Sequence, residues 1–379
     1  MNNKHDVIII GSGIGGLTTA AHLAKAGVKV LVLEQHSQPG GYFTSFKAKG
    51  YCFDGGIQAC EDGGMFLATL KQLGILERVN PVKSRFALCL PDAFVELKQI
   101  EDLHRFYDRL ILAFPHETAG LNQIRKDALE FCYMMEAMWK VPNPFFKSFP
   151  EIIAGYPEWI KNHGRHARGF GRFMELFHVP IHEYLSRFIS DRDLINFISS
   201  MGYRGCPASF SMPFIYCLTD YYYPARGGMQ AVSNALAEAI EGQGGRIVYN
   251  TLVDRILTDG GRAVGVHTQA GDSFHAKFIV NNGDAIRTYR HMLPSDVVPA
   301  AFRQKMESSR FSESVFLTYL GVDMPPDEIA RAVGGCPHVI VMPDYRPGGY
   351  DDIENNPDYF RRSLLMVSVP TIHDPGCAP

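Results

Sequence analysis

This sequence predicts an α/β fold: a parallel sheet of the dinucleotide-binding kind, interrupted by a second domain of mixed sheet and helices. Two stretches carry the prediction. Asp6 to Glu34 reads as strand, tight glycine turn, helix and strand, and Tyr223 to Asp284 reads as a helix followed by short strands with glycine turns between them. A long apolar insertion separates the two.

The first stretch is DVIIIGSGIGGLTTAAHLAKAGVKVLVLE. Val7 to Ile10 are consecutive β-formers, the helical pattern runs to Ala26, Gly27 breaks it, and Val28 to Leu33 form a second apolar run. The turn holds G-x-G-x-x-G at Gly11, Gly13 and Gly16. Gly11 permits the sharp exit from the strand. Gly13 lets backbone N–H groups approach a pyrophosphate, and Gly16 lets the helix lie close on the sheet. The helix N-terminus adds partial positive charge for the phosphates, which brings Ile14 and Gly15 into the expected site. Glu34 lies about 20 residues on, at the tip of the second strand, where a carboxylate accepts hydrogen bonds from ribose hydroxyls. It would repel a 2′-phosphate, so FAD or NAD is expected over NADP. Val7 to Ala24 is also an uncharged run of membrane-spanning length, but its four glycines with Ser12, Thr18, Thr19 and His22 suit a span poorly.

With 379 residues there is room for two domains and large cores. A net charge of −3 gives no support for nucleic-acid binding. Eight cysteines without any C-x-x-C point to reduced thiols rather than a disulfide framework or a zinc site, and no metal is expected. The chain enters its first strand at once, so no secretory leader and a cytoplasmic location are expected.

Beyond Glu34 come Gln35 and a second glycine turn, Pro39-Gly40-Gly41, which alone is simply a good loop. Gly50 to Ile57 (GYCFDGGI) reads as a short strand into a third. Taken together, GSGIGGLTTAAHLAKAG, E-x5-GG and GYCFDGG resemble the phytoene desaturase, carotenoid isomerase and retinol saturase group of flavoproteins. The resemblance implies FAD in a Rossmann-like domain of the glutathione reductase type, with Gly40 and Gly41 beside an extended cofactor. It also implies that Gly55, Gly56 and Ile57 lie near the flavin ring. In the second block, P-x-x-G-G-M from Pro224 to Met229, a helix to about Glu241, a three-stranded meander and a strand ending in Asn281-Asn282-Gly283-Asp284 match the same group. That match implies a return to the FAD domain, with the Val253 backbone offered to the adenine and Asn282 beside the cofactor. The expected division is 1–95 and 223–285 for FAD, and 96–222 and 286–379 for an apolar substrate.

Elsewhere the spacing predicts a helix over Gly63 to Leu76, a hairpin over Val82 to Leu97 and helices from Ile100 to Lys140 interrupted near Pro115. Another helix is expected over His182 to Met201. Residues 141–160 combine prolines with Phe145, Phe146, Phe149, Tyr156 and Trp159, and Lys161, Arg165, Arg168 and Arg172 follow without an acid. Aromatics beside cations suit peripheral contact with a bilayer across 141–172, and an aromatic core followed by a solvated loop is the alternative. His163, His166, His178 and His182 lack the partners of a metal site. Cys206 to Tyr223 is either the wall of a greasy tunnel or a buried core segment. Ser314 to Val322, His338 to Met342 and Leu364 to Val369 read as strands of the substrate domain. Ser368 to Pro379 resembles the group's S-x-P-S-x-x-D-P-x-x-A-P segment, beyond which its members run on, so a C-terminal FAD segment is expected to be missing.

No nucleophile elbow, H-E-x-x-H or Walker loop is present, and no catalytic acid or base stands out. Asp54 and Arg226 read as structural, and Asp284 as a helix cap. The resemblance implies a FAD-dependent oxidoreductase or isomerase acting on C–C bonds of a carotenoid- or retinoid-like polyene. The alternatives are an amine-oxidase-like flavoenzyme and a flavin-free prenyl-lipid binder of the GDP-dissociation-inhibitor type.

Overall fold

A computed structural model describes residues 4–139, 148–163, 167–202, 205–309, 314–347 and 358–379. The chain lays down β1 (Lys4–Ile10), crosses through helix α1 (Ile14–Lys25) and returns as β2 (Val30–Leu33). A hairpin of β3 (Ser45–Ala48) and β4 (Tyr51–Asp54) follows, then β5 (Cys60–Glu61), helix Phe66–Leu73 and β6 (Pro81–Lys83). A second hairpin, β7 (Phe86–Leu90) and β8 (Ala93–Leu97), leads into a helical region that ends at β9 (Tyr221–Pro224). Helix Gln230–Gly242 then precedes β10 (Arg246–Val248), β11 (Val253–Asp259), β12 (Arg262–Thr268) and β13 (Ser273–Asn281), and β14 (His338–Val341) and β15 (Leu365–Ser368) come last.

The main sheet has the order β10-β2-β1-β13-β12-β11, with β10, β2, β1 and β13 parallel and β12 and β11 antiparallel. All four residues of β2 are buried, as a central parallel strand covered on both faces requires. The pleat sorts β1 between two cores. Val7 and Ile9 meet Leu17, Ala20 and Ala21 of α1 and Leu236 of the later helix, while Ile8 and Ile10 face Val253, Ile256 and Val266 of the meander. Two stretches more than two hundred residues apart therefore share one sheet. The second sheet, β15-β14-β7-β8, closes over the helical region, whose core gathers Phe106, Leu110, Phe131, Tyr184 and Phe197.

Several expectations change. Val82 and Lys83 leave the hairpin to pair with Tyr223 and Tyr222 in a separate three-stranded sheet, so the hairpin proper is Phe86 to Leu97. Ser273 to Asn281 is one strand, pairing with β12 at its start and with β1 along its length. His182 to Met201 breaks in two because the Ser190 and Asp191 N–H groups donate to Glu117 Oε1 (2.9 and 2.7 Å), and Asp191 then caps helix Arg192–Ser199. Ser314 to Val322 has no regular secondary structure and joins no strand among the described residues. Without a ladder it has no sheet face on which to bury its side chains, and Phe316 is 92% exposed.

The supposed basic loop is helical where described, in Phe149–His163 and Ala167–Glu175. Arg172 turns inward there, donating to both oxygens of the buried Asp127 at 2.7 Å. Phe145, Phe146, Arg165 and His166 lie outside the described residues.

Val369 to Pro379 forms a strap across β4 and the Tyr223–Gly227 loop. Asp374 Oδ2 accepts the Gly227 N–H (2.8 Å), His373 stacks on Tyr223 (5.1 Å, 18°), and His373 Nε2 lies 2.9 Å from Ser84 Oγ. His338 beneath it is 2% exposed and stacked on Phe86, with Nδ1 3.0 Å from Ser368 Oγ and Nε2 without a partner among the described residues. Burial, reinforced by the neighbouring His373, brings His338 down from the usual 6.5 to about 3. Burial and the Arg85 charge bring His373 down to about 4.

Both rings are neutral when folded and charge more readily when unfolded. Stability is therefore full above the unfolded value and falls as pH drops below 6.5 toward 4 and 3, at up to about 1.4 kcal/mol per pH unit for each ring. Urea unfolding measured from pH 7 to pH 4 should show this decline, and His338→Phe should remove one ring's share of the slope.

Candidate functional site

The site is built around the start of α1. Gly11 has φ +90°, and its N–H donates to Leu33 O at 2.9 Å, which turns the chain off the sheet. Gly16 is buried so close to the Gly11 carbonyl that a Cβ would overlap it. These two glycines serve the fold. Gly13 does not: it has φ −62° and ψ 168°, and a Cβ there meets nothing nearer than Asn282 Nδ2 at 3.5 Å. Its bareness leaves open surface in front of the helix. No side chain caps α1, and no acid lies in its first turn. Among the described residues the leading N–H groups are thus met by no side-chain acceptor, and Gly15 is exposed, an arrangement suited to an anion.

The other glycine turn and the end of β13 close around this point. Gly40 (φ +130°) donates its N–H to Ser12 O at 2.8 Å, and a Cβ on Gly41 would lie 3.1 Å from Gly13 Cα. Asn282 donates its N–H to Ile10 O at 3.0 Å and sets its exposed amide against the helix start, where a Cβ on Gly15 would approach Oδ1 at 2.8 Å. Gly13, Gly15, Gly40, Gly41 and Asn282 thus meet at one rim, and Ile14 packs inward.

Glu34 is buried and already engaged. Oε2 accepts the Ser12 N–H and Oγ–H, both at 2.7 Å, and Oε1 accepts the His36 N–H at 2.9 Å. The carboxylate therefore fixes the glycine turn from behind, a role that the sequence reading had not given it. Each oxygen can still accept from a ligand hydroxyl. Gln35 beside it is exposed. The Thr251 N–H donates to Glu34 O at 2.7 Å, which brings the start of β11, and with it the buried Val253, alongside the acid.

Gly55 to Ile57 forms a second wall. The Gly55 N–H donates to Thr44 O (2.7 Å), the Ile57 N–H to Tyr42 O (2.9 Å), and a Cβ on Gly56 would strike Tyr42 O. Ile57 is 38% exposed and Arg226 is exposed. Tyr319, which sequence reasoning missed, donates its hydroxyl to Gly55 O at 3.2 Å and sets its ring edge-on to Phe46 (4.9 Å). It lies in the run read as a strand, so its pattern carried no hint of this contact. Asp284 caps a short helix by accepting the Arg287 N–H.

The segment Cys206 to Tyr223 packs as core: Ala208, Met212, Ile215 and Leu218 join the large helical cluster. A cavity of about 440 Å³ near its end is mixed rather than oily, with Asp62, Lys83, Glu101 and Asp220 facing Trp139 and Tyr216. Burial, with the Asp62 charge, raises the Asp220 carboxyl above its usual range. Among the described residues no group of three His, Cys, Asp or Glu side chains could hold a metal ion, and no helix is long and apolar enough to cross a membrane.

The chain is 27% identical to the chloroplastic prolycopene isomerase of Daucus carota, over 100% of this chain and 60% of that protein. It is 26% identical to a lycopene-forming phytoene desaturase of Pantoea ananas, over 98% of this chain and 73% of that protein. The chain thus spans about 60% of the length of the isomerase it matches. In structure it resembles an oxidoreductase from Methanosarcina mazei (TM-score 0.52, 21% identity, covering 80% of this chain and 65% of that one), which shows the fold. The profile of the flavin containing amine oxidoreductases matches residues 14–316, from the first turn of α1 past the meander, and the chain belongs to that family.

Proposed function

We propose that this chain is a FAD-dependent oxidoreductase or isomerase acting on C–C bonds of a long apolar polyene, such as a carotenoid or retinoid. The observation that carries the reading is Gly13, bare without any need of the fold, in front of helix amides that no side chain caps among the described residues. A pyrophosphate suits both. Glu34 would accept from the adenine ribose, the β11 start at Val253 would meet the adenine, and Gly55 to Ile57 would flank the ring. Likeness to a prolycopene isomerase and a phytoene desaturase supports the polyene.

When bound, the flavin supplies hydride acceptance or return at its N5. The residues around it bind, orient and exclude water. The proposed division keeps 1–95 and 223–285 with FAD and 96–222 and 286–379 with the substrate; because β7 and β8 pair with β14 in the second sheet, the first boundary is better drawn before Phe86. A second reading, amine oxidation, is favoured by the family's description, and peroxide release on adding amines would distinguish it.

Peripheral membrane contact belongs to the same proposal. Phe149, Ile153 and Ile160 on one helix and Phe170, Met174 and Phe177 on and just after the next are all 46–74% exposed. Apolar side chains on interfacial helices gain by burial among lipid headgroups.

Purified protein should take up FAD and show flavin absorption. Gly13→Val, whose Cβ would meet nothing nearer than 3.5 Å, and Glu34→Arg should each weaken binding at least tenfold, about 1.4 kcal/mol. Unchanged affinity in the folded Gly13→Val variant would refute the site. Flotation with anionic vesicles should capture the wild type and lose most of a Phe149→Ser, Ile153→Ser, Phe170→Ser triple variant. Equal capture of the two would remove the membrane contact.

A further inference from the structure

Asp54 ends β4, one residue before the Gly55–Gly56 turn, and is 3% exposed. Its carboxylate receives three donors from two distant parts of the chain. Oδ1 accepts Ser45 Oγ–H at 2.6 Å and the Met229 N–H at 2.8 Å, and Oδ2 accepts the Tyr223 hydroxyl at 2.6 Å. Ser45 extends the knot: its Oγ accepts the Gln230 N–H, and its own N–H donates to Gln230 Oε1, both at 3.1 Å. Gly228 (φ +63°) passes so close that a Cβ would lie 2.7 Å from both Asp54 Oδ1 and Ser45 Oγ.

Three donors converge on two oxygens, which a carboxylate accepts without rearrangement. An asparagine in its place would have to turn its NH2 group to Tyr223 and reverse that bond, the hydroxyl then accepting. No lysine or arginine forms an ion pair with Asp54 among the described residues, so its charge is held by neutral hydrogen bonds and by the start of helix Gln230–Gly242. Tyr223 responds as expected: burial and then the Asp54 charge push its hydroxyl up, keeping it a donor.

We propose that Asp54 is a positioning residue for the flavin. It clamps the Gly55–Ile57 turn to the Tyr223–Met229 loop and places a fixed negative charge behind the wall that the ring rests on. This rests on the flavin reading above. A buried negative charge opposes the addition of electrons to a neighbouring group, so Asp54 would hold the reduction potential of the bound flavin down as well as fix its seat.

The test compares wild type with Asp54→Asn, which keeps the shape and loses the charge, and Tyr223→Phe, which keeps the charge and loses one donor. FAD affinity, the midpoint potential of bound flavin and amide exchange at Gly55–Ile57 are the readouts. Asp54→Asn should weaken FAD at least tenfold and raise the midpoint. Tyr223→Phe should speed exchange in the turn while leaving the midpoint near that of wild type. If Asp54→Asn does not fold, faster exchange at Gly55–Ile57 in Tyr223→Phe and Ser45→Ala supports the clamp, and wild-type exchange in both overturns it. An Asp54→Asn protein that is merely less stable, with wild-type affinity and midpoint, overturns the proposal and leaves the flavin reading standing. A wild-type chain that takes up no FAD overturns both.

Discussion

The structure depends on how α1 begins. A helix must leave its first N–H groups without partners from its own turns, and proteins usually cap them with a side chain or water. Here the cap position is a glycine with nothing attached, and the turn before it is held rigidly from every other side. Gly11 bends the chain, Gly16 lets the helix press against that bend, and Ser12 is pinned by Glu34 behind and Gly40 in front. Among the described residues no side chain caps the helix start that faces out, and that is how a fold prepares a place for an anion.

The sheet accounts for where that place lies. α1 starts at the C-terminal edge of β1, at the point where β2 and β13 flank it on either side, and ligands of open parallel sheets collect at that edge. Because β13 and β10 come from the second half of the chain, the rim exists only once both halves have met. Buried acids do much of the joining. Glu34, Asp54, Glu117 and Asp127 are each sealed from solvent and each accept from residues far away in sequence. Hydroxyls and backbone N–H groups compensate most of these charges, which avoids the desolvation cost of ion pairs except at Arg172.

Much of this could be read from the residues, for physical reasons. The βαβ unit was legible because periodicity switches from 2 to 3.6 and back within Val7 to Leu33, and because glycine at Gly11 and Gly16 answers a steric demand local to that unit. The meander was legible for similar reasons, its turns being marked by Gly260, Gly261 and Gly271. What failed involved partners far away in sequence. Val82 looks like a hairpin residue until Tyr223 pairs with it, Arg172 looks like a solvated cation until Asp127 is found beneath it, and Ser314 to Val322 has strand composition but no ladder to join. One miss was avoidable: Ser190-Asp191 ahead of a helical run is an N-cap signal, and it marks the break within His182 to Met201. In the site, the glycines were legible individually. The grip of Glu34 on Ser12 and the reach of Tyr319 to Gly55 were not, since neither spacing nor composition encodes a contact between loops.

Amide hydrogen exchange with and without saturating FAD addresses the central claim most directly, because it reports the backbone N–H groups themselves. The account predicts slowed exchange at Gly11 to Gly16, at Gly40 and Gly41, and around Val253, with little change in helices Asp102–Ala113 and Thr118–Trp139. FAD bound with the first turn of α1 exchanging as fast as in the free protein would contradict it.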